Sequence, residues 1–280
     1  MAQKKKMVCL KDRLLGEGWF ETEQEACAWA MMRRILVNDR LITSIGERVE
    51  EDGVIRVKEY YKRRYVNKGG LKLEKAMEAF GLRPAGAAAL DCGASKGGFT
   101  DCLLQHGAQP VYAVDAGHGQ LAGKLLIDPR VENLENTNLS DEKLLHLHPA
   151  PHFVTLDLSY LSLKKAVPLA LRIMKNEGTL VCLVKPIFEV EDNEIRRTGK
   201  INEPAIHQEI LRGLLAFFQS LGLEIAGLIH SPIRGNRDAI EYLLCLTTHP
   251  AQGDGMDLED KMRCAVENAF QLEKFRKNEA

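Results

Sequence analysis

Residues 91–101 read "DCGASKGGFTD" and follow directly on the alanine-rich apolar run Ala87-Ala88-Ala89-Leu90. A short continuous apolar run bounded by turn residues reads as a buried strand. Glycines gather where a backbone turns sharply and comes close to something else. The spacing from Asp91 through Gly93 to Gly97 is D-x-G-x-x-x-G, whereas a dinucleotide loop needs G-x-G-x-x-G without a leading acid. A P-loop is excluded as well, because no G-K-[ST] closes the turn and Lys96 comes too early. What fits is a loop passing under S-adenosylmethionine, with Gly93, Ala94, Ser95, Gly97, Gly98 and Phe99 admitting the methionine moiety. Asp91 then either fixes the turn or meets the ligand's ammonium group.

The next apolar run, Val111-Tyr112-Ala113-Val114, ends in Asp115, placed to accept the two hydroxyls of a cofactor ribose. Asn138 joins this cofactor set further along the chain. The plainer readings are a structural turn for the glycines and a helix cap for the acid. Together the features favour a nucleoside site.

Outward from this loop the pattern alternates. Strands are expected at 87–90, 111–114, 153–157, 180–184, 223–229 and 242–247, with helices over 163–174 and 204–221 between them. The apolar runs are continuous, as in strands covered on both faces. The expectation is a doubly wound α/β domain whose ligand lies at the carboxyl ends of the strands.

Before residue 70 the pattern differs. Thr22 and Glu25 have capping-box spacing, and a helix is expected from Thr22 to Ile35. Short strands follow around Ile35-Leu36-Val37, Leu41-Ile42 and residues 54–57, the first two joined by the turn pair Asn38-Asp39. The expected division is a small domain over 1–61, a basic linker over 62–70, the main domain over 71–250 and a helical tail over 251–280. The charged loop 189–202 is expected to be mobile or to order around a ligand.

The 280 residues carry a net charge of −1, yet residues 1–75 hold 17 Lys and Arg against 12 Asp and Glu. The basic part is therefore the small one. Seven cysteines without a C-x-x-C pair, mostly in apolar stretches, suggest packed thiols rather than disulfides or zinc, and so a cytoplasmic protein with no metal. No apolar run approaches the roughly 18 residues that span a bilayer.

Strands three and four end in Asp157 and Lys185. An ammonium group at the end of a buried strand is costly without a partner. It either snorkels or pairs with Asp157 for structure alone, or it serves the site the strand end faces. Lys72 and Glu241 complete the candidate set, against the plain readings of a solvated lysine and an exposed strand end.

The segments "YVNKGGLKLEKAMEAFG" (65–81), "LDCGASKGGFTDCLLQHGAQPVYAVDAGHGQLAGKLLIDPRV" (90–131), "DLSYLSL" (157–163), "LVKPIFE" (183–189) and "GKINEPAIH" (199–207) occur in this order. The chain resembles the TlyA family across nearly its whole length. The resemblance implies a Rossmann-like class I S-adenosylmethionine-dependent methyltransferase, its mostly parallel seven-stranded sheet ending in an antiparallel strand. That domain is related to the FtsJ heat-shock RNA methylases. A small α+β RNA-binding domain of the ribosomal-protein-S-four type would precede it. The implied activity is methylation of cytidine riboses in ribosomal RNA, with ribosomal RNA or subunits as partners. A Lys-Asp-Lys-Glu tetrad is implied at Lys72, Asp157, Lys185 and Glu241. Departures from the family pattern are Asn67-Lys68 for a Ser-Arg pair, Lys96 for a small polar residue, Ile187 for a glutamine and Asp39 for a glycine. The basic residues Arg33, Arg34, Arg40, Lys62, Arg63, Arg64 and Lys68 would meet phosphates without reading sequence, or form a solvated face.

A ribose hydroxyl is a poor nucleophile and needs a base. An ordinary lysine is neutral about once in 2,500 molecules at pH 7, so a lysine base needs burial or cationic neighbours. Lys185 is the expected base, with Lys72 beside it and Asp157 and Glu241 orienting the amines. Three alternatives stay open: an amino-group methylase, for which Asp157-Leu158-Ser159-Tyr160 has the spacing but lacks the prolines; a non-catalytic RNA-binding or assembly protein that keeps the fold; and a membrane-active haemolysin, a label relatives carry but no segment here supports.

Overall fold

The computed structural model describes residues 6–20, 22–57, 64–159, 161–190, 201–250 and 256–272. The chain forms two compact units, Met1–Arg64 and Tyr65–Ala280.

The first unit contains β1 (Met7–Cys9), α1 (Leu10–Gly16), α2 (Glu23–Met31), β2 (Ile35–Val37), β3 (Arg40–Ile42), β4 (Arg48–Glu50) and β5 (Ile55–Val57). β1 pairs with β4, and the other three strands form an antiparallel sheet in the order β3-β2-β5. Thr22 caps α2 by accepting a hydrogen bond from the Glu25 amide, as the capping-box spacing requires. The helix stops at Met31, short of the expected residue 35. Arg33 turns the chain with a φ of 56°, and Ile35 leaves the helix to pair with Ile42 and Val57 in the sheet. Burial of Ile35 in the sheet therefore outweighs the helical period that includes it. Asn38 and Asp39 both adopt positive φ, 50° and 61°, as a two-residue hairpin turn demands. Leu10, Leu14, Phe20, Ala26, Ile35 and Ile42 form the centre of this unit's own core.

The second unit opens with α3 (Gly69–Phe80). It continues with β6 (Ala89–Cys92), α4 (Gly98–Gln105), β7 (Val111–Val114), α5 (Gly123–Leu126), β8 (Val131–Leu134), β9 (Phe153–Leu156), α6 (Leu163–Ile173) and β10 (Thr179–Val184). α7 (Pro186–Glu189), α8 (Pro204–Ser220), β11 (Glu224–His230), β12 (Tyr242–Thr247) and α9 (Leu258–Gln271) complete it. Seven strands make one sheet in the order β11-β12-β10-β9-β6-β7-β8. β12 runs antiparallel to both its neighbours, and the pairings among β10, β9, β6, β7 and β8 are parallel. Both faces of the sheet are covered. Leu73, Met77, Phe99 and Leu103 of α3 and α4 pack on one side, and Ala166, Ala170, Leu214, Phe218 and Val266 of α6, α8 and α9 on the other. That double cover is why the strand runs are apolar throughout.

Sequence order places β7 and β8 on one side of β6, and β9 and β10 on the other. The connections after β6 and β9 therefore diverge, leaving a crevice at their carboxyl ends where ligands of this architecture bind. The stretch 62–70, expected as a linker, is divided. Tyr65 is buried in the second unit and Gly69-Gly70 form the first turn of α3, while residues 62 and 63 lie outside the described residues. So do residues 191–200 of the charged loop.

Candidate active site

Gly93 leaves β6 with a φ of 85°, in the left-handed region that only glycine enters without cost. A side chain there would strike the Asp157 carbonyl, so the first loop of the crevice is pressed against the second. Gly97, with a φ of 87°, ends the loop and caps α4; a side chain on it would meet Leu121 and Leu125. Gly98 and Phe99 open α4 and are buried, Phe99 within the core. The loop's outer turn is Ser95, whose amide donates to Asp115 Oδ2 at 2.8 Å and whose hydroxyl donates to Gln120 Oε1 at 3.1 Å.

Asp115, one residue beyond β7, accepts a second amide, that of Gly117, on Oδ1 at 2.7 Å. The carboxylate is half-buried and fixed by two N–H groups, yet each oxygen has a further lone pair to offer. These acceptors fit a pair of ribose hydroxyls. Asn138 is exposed beyond β8, its amide bonded to Asp141.

Asp91 requires a correction. It lies inside β6 rather than at a strand end and is completely buried. Its carboxylate accepts from Thr100 Oγ1 at 2.6 Å and Thr155 Oγ1 at 2.8 Å, tying β6 to α4 and β9. Its burial and these two bonds favour the turn-fixing role of the two open to it. Burial pushes its carboxyl up to about 6, the two threonine hydroxyls opposing the shift.

The tetrad positions converge. Val184 pairs with Tyr242 and Cys182 with Leu156, so Lys185 after β10, Asp157 after β9 and Glu241 before β12 flank three adjacent strands at the same end of the sheet. Lys185 Nζ lies 2.7 Å from Asp157 Oδ1 and donates to Ser159 Oγ at 3.2 Å. Lys72, in the second turn of α3, forms a buried ion pair with Glu241. The Asp157 and Lys185 charges both act on Glu241, which makes the two pairs one electrostatic cluster. Burial pushes the Glu241 carboxyl above its ordinary range against the pull of Lys72. Gly235 lies against this carboxylate and has no room for a side chain.

The candidate phosphate-binding residues are spread over both units. Arg33 is exposed after α2, Arg34 stacks over the Trp29 ring at 5.9 Å, and Arg40 pairs with Glu47 at 2.9 Å. Arg64 is exposed at the end of the first unit, while Lys68 is exposed just before α3 in the second. Lys62 and Arg63 lie outside the described residues. Sequence reasoning missed Thr100, Thr155, Ser159, Ser162, Gln120 and Glu189. Thr100 and Gln120 lie in or beside the glycine turns and Glu189 opens the charged loop, yet none shows locally which other element its bond reaches.

Among the described residues no group of His, Cys, Asp and Glu is placed to hold a metal ion, and no helix is long and apolar enough to cross a membrane.

Residues 65–248 match the model of the FtsJ-like methyltransferases. YqxC of Bacillus subtilis is 36% identical over 272 residues, covering 94% of each chain. The 16S/23S rRNA (cytidine-2'-O)-methyltransferase TlyA of Mycobacterium tuberculosis is 36% identical over 206 residues, 73% of this chain and 77% of that one. A solved structure of a hemolysin-like protein from Streptococcus thermophilus is 33% identical and superposes with a TM-score of 0.71, covering 96% of this chain and 97% of its own. The chain belongs to the FtsJ-like methyltransferase family, together with the TlyA proteins.

Proposed function

We propose that the protein transfers a methyl group from S-adenosylmethionine to the ribose 2′-hydroxyl of a cytidine in ribosomal RNA. The observation that carries this reading is the meeting of two amine–carboxylate pairs, Lys72–Glu241 and Lys185–Asp157, at the strand ends beside the glycine loop. The substrate reading draws on the activity named for the M. tuberculosis relative.

When bound, the cofactor supplies an electrophilic methyl group on a positively charged sulfur. Asp115 holds its ribose, and the loop of Gly93, Ala94, Ser95 and Gly97 lies beside its amino-acid end. Lys185 approaches the 2′-hydroxyl and takes its proton as the oxygen gains the methyl group. Asp157 holds the Lys185 amine beside the reacting centre until the substrate hydroxyl arrives. Lys72, held by Glu241, binds the ribose from the α3 side.

General-base assistance is worth roughly 10² to 10⁴ in rate. The remainder comes from holding oxygen, carbon and sulfur in line, for which rigid strand ends are suited. A base-amino methylase would have little use for two lysines at the reacting centre. The basic side chains Arg33, Arg34, Arg40 and Arg64 of the first unit would bind RNA phosphates.

Lys185→Ala tests the assignment. Single-turnover methyl transfer to hypomethylated ribosomal subunits should fall by at least about 10²-fold with cofactor binding preserved. Full single-turnover activity in this variant would rule the role out.

A further inference from the structure

Glu189 closes the short helix α7 that begins immediately after Lys185. Its carboxylate reaches the other strand-end loop. Oε2 accepts from Ser162 Oγ at 2.6 Å and Oε1 accepts from the Leu163 amide at 2.8 Å. Leu163 is the first residue of α6, so this N–H has no partner within its own helix. Ser162 is the cap of the same helix, accepting from the Lys164 amide at 3.2 Å. A carboxylate from a distant segment thus sits on a helix N-terminus, where the helix dipole and charge-assisted hydrogen bonds both favour it.

The connection has a consequence for the site. The loop 157–162 carries Asp157 and Ser159, and the segment 185–189 carries Lys185. These two stretches touch through Lys185 with Asp157 and Ser159, and through Glu189 with Ser162 and Leu163. The first set of contacts must loosen when Lys185 turns to a substrate hydroxyl. The second set takes no part in the chemistry and can persist throughout.

We propose that Glu189 is a positioning residue, a stitch between the β9 and β10 loops that keeps Lys185 aligned while its amine exchanges Asp157 and Ser159 for the substrate oxygen. This rests on the methyl-transfer role of Lys185 given above. Removing the carboxylate frees the segment after Lys185 and widens the positions the amine occupies, and misplacement of about 1 Å costs on the order of 10²-fold in rate.

The experiment compares wild type, Glu189→Ala and Glu189→Gln in two assays. The first is single-turnover methylation of ribosomal subunits, normalised to sites that bind S-adenosylmethionine. The second measures labelling of Lys185 by an amine-reactive reagent without RNA, read by mass spectrometry against Lys164 and Lys165. Glu189→Ala should lower the transfer rate about 10- to 100-fold, as loss of an orienting hydrogen-bond partner does elsewhere, and speed Lys185 labelling several-fold. Glu189→Gln, which keeps one acceptor oxygen, should recover most of both. Unchanged labelling and rate in Glu189→Ala would overturn the proposal, as would a loss that Glu189→Gln fails to recover. If wild type methylates no ribosomal RNA, the substrate reading fails, yet the labelling assay still decides whether Glu189 holds Lys185.

Discussion

At the scale of single residues, Asp91 shows how a buried acid is tolerated. Desolvation disfavours its charge, and two threonine hydroxyls return part of that cost. Its folded-state value near 6 lies above the ordinary value of about 3.9. The native state therefore holds this proton more tightly than the unfolded chain, and the stability it contributes is present below about pH 4 and lost as pH rises through about 6. Asp91→Asn removes the titration. Its unfolding free energy relative to wild type should increase between pH 4 and 7, by on the order of 2–3 kcal/mol in denaturant titrations. A difference that stays flat or declines over that range would contradict the assignment. Lys185 and Asp157 could be singled out in the sequence because a lysine ending an apolar run needs an explanation. Thr100, Thr155 and Glu189 could not. A threonine or glutamate gives no local sign of the partner it meets 9, 64 or 26 positions away.

At the scale of elements, the glycine pair at 69–70 has a packing cause. Gly70 sits against the Tyr65 ring, and the Tyr65 hydroxyl bonds Glu74 one turn further along α3. A Cβ at position 70 would enter that ring, and α3 would have to move, taking Lys72 with it. Gly70→Ala should cost roughly 1–3 kcal/mol of unfolding free energy, as overpacking does, and lower methyl transfer in parallel. Wild-type stability in thermal melts would show that the ring yields easily. The helices over 163–173 and 204–220 were legible because their apolar spacing and the proline opening the second are local signals. β8 was not, since it is an edge strand with the sequence Val-Glu-Asn-Leu and exposed polar residues at its centre. α1 was missed too, its seven residues offering only two buried leucines as a period.

At the scale of the whole molecule, the basic excess and the glycine loop occupy different stretches of the chain. The basic excess lies in residues 1–75, whereas the glycine loop, Asp115 and both amine–carboxylate pairs lie in the unit from Tyr65 onward. The doubly wound class was legible because strands covered on both faces must be apolar throughout, a property visible without coordinates. The antiparallel placement of β12 was not legible from pattern and came from resemblance alone. Convergence of Lys72 with Glu241, 169 positions apart, likewise depends on sheet order rather than on any local motif. The most direct test of the central claim is to incubate hypomethylated ribosomal subunits with methyl-labelled S-adenosylmethionine, digest the RNA to nucleosides and identify the labelled one. The account predicts label in 2′-O-methylcytidine, lost in Lys185→Ala. Label on a base nitrogen or carbon, or none in any ribosomal particle, would contradict it.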